Sequence, residues 1–236
     1  MTDTDEGIRL AKRVAALAGC SRREAELLIE NGAVRVDGEP ALVPQLRVHA
    51  NQQVEIEPGA RPEPVVPVTL LLNKPAGTPT DNAHRLLVPA NHHEPERAGL
   101  RFLSRHVAAQ RCMTPLETGA SGLVVFTQEW RIERKLQEDA GILENEIMVD
   151  VAGPVGPEVL ARLERASGAR VSIGQQAEGH TGLRFAIKGA RPGQIAHLCD
   201  EAGLRILAMK RIRIGRVPLA NLLVGRWRYL LPSERF

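Results

Sequence analysis

At 236 residues, with 43% hydrophobic and 25% charged residues, the chain has the composition of a folded protein able to bury one sizeable core and a small appended domain. No run of about 18 apolar residues occurs, and the acidic opening MTDTDEGIRL lacks an apolar core, so neither a membrane span nor a secretory leader is expected. Cys20, Cys112 and Cys199 lie far apart without a CxxC pair, which argues against a disulfide framework and fits a reducing, cytoplasmic setting.

Net charge is only +3, but it is unevenly spread. Residues 7–35 carry six Lys/Arg against three Glu, and residues 205–228 carry Arg205, Lys210, Arg211, Arg213, Arg216, Arg226 and Arg228 with no acid. Stripes of this kind suit a phosphate backbone. Aromatic residues are 3% of the chain, which argues against a surface built mainly from stacked bases.

In chain order, Ile8, Leu10, Ala11, Val14, Ala15, Leu17 and Ala18 recur at helical spacing and end at Gly19. Ser21 caps a second helix, with Glu24 completing a capping box and Asn31-Gly32 stopping it. Val34–Val36 reads as a strand, Asp37-Gly38 as a tight turn and Gln53–Ile56 as a further strand, closing an α/β unit over residues 1–57. Pro58, Pro62, Pro64 and Pro67 mark a stiff linker over 58–67.

Residues 68–236 form the larger domain. Val68–Asn73 reads as a buried strand running into Lys74-Pro75-Ala76-Gly77. Residues 79–112 read as loops with a short strand near Leu100–Leu103. Strands are predicted at Leu123–Phe126 and Glu146–Val151, and helices at Trp130–Asp139, Pro157–Ala166 and Pro192–Ala202. The tail Arg205–Leu231 is strand-rich. His84, His92, His93, His106 and Cys112 fit no common zinc spacing, and the histidines read as surface side chains, so no metal is expected. Thr127 and Trp130 read as a strand end and a helix anchor.

Residues 8–57 resemble the small αL RNA-binding domain (the S-four type) of a ribosomal small-subunit protein and several RNA-modifying enzymes. The resemblance rests on Ile8–Lys12, Cys20–Ala25 and Ile29–Gly38. It implies that Arg9, Lys12, Arg22 and Arg23 form a rim that neutralises phosphates of folded RNA.

The remainder resembles the bacterial ribosomal RNA pseudouridine synthases that carry such a domain. Leu71–Gly77, residues 114–127, Gly189–Gly203 and the tail Lys210–Gly215 with Gly225–Arg228 carry that likeness. The family cleaves the glycosidic bond of a uridine, turns the base and rejoins it through carbon five, with no cofactor and no metal. The resemblance implies an α+β protein whose larger domain has a mixed, mainly antiparallel sheet. It also implies a monomer that binds folded ribosomal RNA, no membrane partner, Lys74, Arg211 and Arg213 on RNA, and Glu117 at the catalytic position.

The match departs at four places. Where the family reads Arg-Leu-Asp, this chain reads Pro115-Leu116-Glu117, so its carboxylate stands one methylene further out. Ile147 stands at the tyrosine position of Glu146–Val149, and Ala196 in place of an arginine in Gln194–His197. Two readings follow: an isomerase of uridine to pseudouridine, or a catalytically inactive homologue acting as an rRNA-binding or ribosome-assembly factor.

Overall fold

The computed structural model describes residues 7–93, 100 and 102–236. The chain divides into two units, Met1–Pro67 with Arg101–Ala109, and Val68–Leu100 with Gln110–Phe236.

In the first unit, β1 (Ile8–Arg9) leads directly into α1 (Leu10–Ala18), followed by α2 (Arg22–Glu30). The helix starts two residues later than its apolar spacing suggests, because Ile8 and Arg9 pair in antiparallel register with Val48 and Arg47 of β4 (Arg47–Val48). Gly19 ends α1 at φ 63°, a left-handed conformation that glycine adopts without a Cβ penalty. Ser21 Oγ accepts from the Glu24 amide at 3.2 Å and Glu24 returns a bond to the Ser21 amide at 2.8 Å, completing the expected capping box. β2 (Val34–Val36) pairs with β3 (Glu39–Pro40) through the Asp37-Gly38 turn, where both residues have positive φ, and with β5 (Val54–Ile56). Leu10, Val14, Leu28, Ile29, Val34 and Val48 close the small core.

In the second unit the strands are β6 (Thr69–Lys74), β7 (Arg111–Cys112), β8 (Ser121–Thr127), β9 (Glu144–Ala152), β10 (Arg170–Ala177), β11 (His180–Lys188), β12 (Ile206–Ile214), β13 (Val217–Pro218) and β14 (Trp227–Tyr229). Among the described residues they form one sheet in the order β10-β11-β9-β12-β8-β6-β14, with β13 on β12 and β7 on β8. The sheet is mixed and mainly antiparallel, as the resemblance implies; β12 and β8 run parallel. In chain order the helices are α3 (Thr80–Ala83), α4 (Ser104–Val107, in the first unit), α5 (Trp130–Glu138), α6 (Pro157–Ser167) and α7 (Gln194–Glu201). β6 is buried throughout and β8 almost throughout, matching their unbroken apolar runs, whereas β9 alternates so that Ile147, Val149 and Val151 face the core.

Two local expectations fail. Leu100, Phe102 and Leu103 carry no strand, and Arg101 of that expected strand lies outside the described residues. Leu103 instead precedes α4, whose His106 is 3% exposed rather than a surface side chain. Thr127 ends β8 and Trp130 opens α5 with its side chain 63% exposed. The β10–β11 hairpin escapes the sequence reading because β10 is an exposed edge strand, with a register shift between Ile173 and Gln175, so alternation is lost.

The parallel pair β8–β12 places Gly122 opposite Arg211. Gly122 has φ 110°, and a Cβ there would lie 2.2 Å from the Arg211 carbonyl oxygen. The positive φ alone costs a side-chain-bearing residue about 1–3 kcal/mol, before the clash. Gly122→Ala is therefore expected to lower the second unit's melting temperature by roughly 5–10 °C or more. A calorimetric scan showing an unchanged transition would contradict this close approach.

Candidate active site

The loop between β7 and β8 carries Glu117, and its backbone has almost no ladder partners of its own. Two cations and a hydroxyl from three other elements hold it instead. From β12, Arg211 donates Nε to the Leu123 carbonyl at 2.8 Å and Nη1 to the Pro115 carbonyl at 3.4 Å, while Nη2 donates to Thr114. From the end of β6, Lys74 Nζ donates to the carbonyls of Pro75 at 3.0 Å, Thr78 at 2.8 Å and Thr118 at 3.4 Å. All three ammonium protons thus have acceptors. The Gly77 amide adds a bond to Thr118 at 2.7 Å, and the Thr80 hydroxyl bonds both backbone groups of Leu116.

Arg211 and Lys74 are buried. Burial pulls the Arg211 guanidinium down to about 10, with the charges of Cys112 and Glu117 opposing the shift. Burial likewise lowers Lys74, with Glu117 again opposing and Arg211 adding to the fall. Two buried cations therefore sit within the field of one half-buried carboxylate, and each is satisfied by carbonyls.

Beside the loop, Glu117, Pro115, Ile147, Met209, Ile195 and Arg191 line a cleft floored by Arg211. Its free volume is about 10 Å³, room for about one water molecule. Of the three altered positions, Pro115 and Ile147 line this cleft; Ala196 does not, and α7 presents Ile195 instead. Arg191 lies inside the motif 189–203, where no spacing marks it as a cleft residue. Thr80 carried no sequence signal.

Arg213 sits away from the cleft lining. Its guanidinium donates to Glu144 at 2.6 Å and Glu146 at 2.7 Å, and Glu146 also takes Arg184 at 2.6 Å. Arg228 is bound by both oxygens of Glu234 at 2.7 Å, in bidentate geometry. Of the seven cations in the basic run 205–228, Arg211, Arg213 and Arg228 are thus committed to internal partners, while Arg205 and Arg216 stand exposed.

The first unit differs. Arg9, Lys12, Arg22 and Arg47 line a surface cavity of about 300 Å³ with no acidic residue in its wall. Arg9 and Lys12 are exposed and have no ion-pair partner among the described residues. Arg22 and Arg23 each approach Glu26, at 3.4 and 3.5 Å, and Arg23 stands outside the cavity. Arg47 was missed because a single basic residue in a two-residue strand makes no pattern. Its Nη1 donates to the Gly7 carbonyl at 3.0 Å, which turns the side chain toward Arg9 and Lys12.

Among the described residues no group of three His, Cys, Asp or Glu could hold a metal ion, and no helix is long and apolar enough to cross a membrane. His92 stacks on Trp227 with ring centroids 4.3 Å apart.

Comparison with known proteins extends the picture. Residues 8–54 match the S4 domain model. The chain is 25% identical over 234 residues to an uncharacterized RNA pseudouridine synthase of Aquifex aeolicus, covering 96% of this chain and 94% of the relative. It is 26% identical to the ribosomal large subunit pseudouridine synthase B of Bacillus subtilis, over 96% of this chain and 93% of that one. It is 25% identical to the dual-specificity RNA pseudouridine synthase RluF of Escherichia coli K12, over 98% of this chain and 78% of that one. A crystal structure of a pseudouridylate synthase shares the fold, with a TM-score of 0.55 at 19% identity over 96% of this chain and 97% of that one.

The Glu146 cluster allows a pH prediction. Hydrogen bonding to Arg213, together with Arg184, holds its carboxyl below the ordinary 4.5 despite partial burial. A depressed folded pKa means that the cluster's stabilisation is fully present above 4.5 and is lost as pH falls through the folded value. Glu146→Gln is expected to lower stability at pH 7 and to flatten the acid limb of the stability curve below pH 4.5. Denaturant titrations at stepped pH check this, and an unchanged slope would refute it.

Proposed function

Because the chain belongs to the bacterial ribosomal RNA pseudouridine synthase family with an N-terminal S4 domain, we propose that it isomerises a uridine to pseudouridine in folded ribosomal RNA, using Glu117 as the reacting carboxylate. In this reading it acts in the cytoplasm as a monomer. The observation that carries the proposal is the clamp on the 114–118 loop. A carboxylate with no task would not need a loop fixed by a buried arginine, a buried lysine and a threonine hydroxyl.

The reaction conserves atoms. The C1′–N1 bond of the uridine breaks, a C1′–C5 bond forms, and the proton lost from C5 is balanced by one gained at N1. No redox agent or leaving group is needed. The chain's part is to strip the nucleotide from its stack, hold it and present a base or nucleophile at the ribose–uracil unit. Glu117 is the titratable side chain lining the cleft that can act as base or nucleophile; Arg191 and Arg211 line it as cations. The apolar walls from Ile147, Met209 and Ile195 suit the faces of a uracil ring. A cleft of about 10 Å³ is too small for a uracil ring, so base entry in this reading requires its walls to open.

Binding belongs to the S4 unit in this proposal, through Arg9, Lys12, Arg22 and Arg23, with Arg47 added by the cavity geometry. Lys74 and Arg211 act by fixing the loop rather than by touching phosphate in this reading, since all three Lys74 donors have acceptors and Arg211 is buried with three of its five N–H groups on loop and strand carbonyls.

Two measurements test the proposal. Quantifying pseudouridine in rRNA from a deletion strain should reveal the loss of a specific modified site, restored by the wild-type chain and not by Glu117→Gln. Glu117→Asp, which draws the carboxylate back by about one bond, should lower the rate by roughly 10- to 100-fold. An unchanged modification profile with retained rRNA binding would instead assign the chain to the inactive, assembly-factor reading. Separately, Arg9→Ala and Lys12→Ala should each weaken rRNA binding and reduce the slope of log K against log salt by about one. A slope untouched by both changes would exclude this cavity as the phosphate site.

A further inference from the structure

We infer that Thr80 is a positioning residue for Glu117, acting through the backbone of Leu116. This rests on the reading of Glu117 as the reacting carboxylate and goes beyond it by naming what aims that group.

The loop from 113 to 120 lies between the end of β7 and the start of β8, so the residue before Glu117 lacks a strand partner. Thr80 supplies one. Its Oγ1 donates to the Leu116 carbonyl at 2.5 Å and accepts from the Leu116 amide at 3.1 Å. A hydroxyl can do both at once, so one side chain takes the place of a strand residue on each polar group of the peptide unit. Among the described residues, Leu116 has no other backbone hydrogen bond.

Thr80 is itself fixed. It is the first residue of α3, where Pro79 accepts from the Asn82 amide at 3.0 Å and Ala83 is fully buried. On the other flank of Glu117, the Thr118 carbonyl is held by the Gly77 amide and Lys74 Nζ. Both neighbours of the carboxylate are therefore referenced to one short segment, 74–80; Arg211 holds the Thr114 and Pro115 carbonyls further upstream, and Thr80 holds Leu116 itself. The Leu116 side chain is 6% exposed, so the peptide cannot simply turn to water for a substitute partner without unseating it. A misplacement of about 1 Å at a reacting group costs on the order of a hundredfold in rate, which is the scale on which such a bond matters.

The test compares Thr80→Val, which keeps shape and removes the hydroxyl, with Thr80→Ser, which keeps the hydroxyl. With an RNA substrate, T80V should lower kcat by roughly 10- to 100-fold with KM unchanged, because the phosphate grip lies in the S4 unit. T80S should stay near the wild-type rate. A general packing defect would lower both variants alike, and that result, or a wild-type kcat in T80V, would overturn the inference. Thr80→Ala carries the same expectation as T80V if valine lowers the melting temperature into the assay range. An activity-independent measurement separates this inference from the functional reading. Hydrogen exchange of the Leu116 amide should accelerate in T80V and not in T80S. If wild-type protein makes no pseudouridine, the functional reading fails. The exchange data still decide the clamp: equal protection in T80V and wild type would sink it.

Discussion

The burial of one guanidinium organises the second unit. Arg211 has almost no solvent exposure, and a lone charge in that position would cost several kcal/mol. It persists because three carbonyls and the charge of Glu117 answer it. Those acceptors lie on both sides of the loop, at Thr114, Pro115 and Leu123, so satisfying the arginine and folding the loop are one event. Arg211 stands on the parallel β8–β12 pair, and there its backbone lies so close to Gly122 that residue 122 can carry no side chain.

This arrangement explains how the site tolerates its departures from the family pattern. Proline at 115 removes an amide and fixes φ, and both changes would threaten a loop held by N–H donors. The loop is held through carbonyl oxygens instead, and Pro115 offers one to Arg211 as any residue would. The longer side chain at 117 then extends from a backbone that the substitutions did not release. Position 147 contributes an apolar wall, and isoleucine supplies that with less area than an aromatic ring.

Much of the fold was legible because its signals are local. The capping box of Ser21 and Glu24, the Asp37-Gly38 turn and the apolar runs of β6 and β8 each specify their own structure within a few residues. The β10–β11 hairpin was not legible, because an exposed edge strand with a bulge and two glutamines has no alternation to read. The sequence marks Glu117, Lys74 and Arg211 as candidate residues, but not the bonds by which Lys74, Arg211 and Thr80 hold the loop. Thr80 bonds a residue 36 positions away and Arg211 bonds ones 88 to 97 positions away, and no spacing rule spans such separations. Ala196 misled for a related reason: motif alignment gives the helix, but only packing decides that Ile195 faces the cleft.

Charge was the property that sequence represented least faithfully. Residues 205–228 and 7–35 look alike as strings of arginine and lysine, yet they do opposite work. In the tail, Arg211, Arg213 and Arg228 are bound by internal carbonyls and by Glu144, Glu146 and Glu234, so their charge stabilises the fold and is spent there. In the first unit, Arg9 and Lys12 stand exposed on a cavity without acids. Counterion release comes only from cations of the second kind. Salt should therefore act on binding through the S4 unit while leaving the geometry around Glu117 untouched, because buried, carbonyl-bound cations are screened far less than exposed ones.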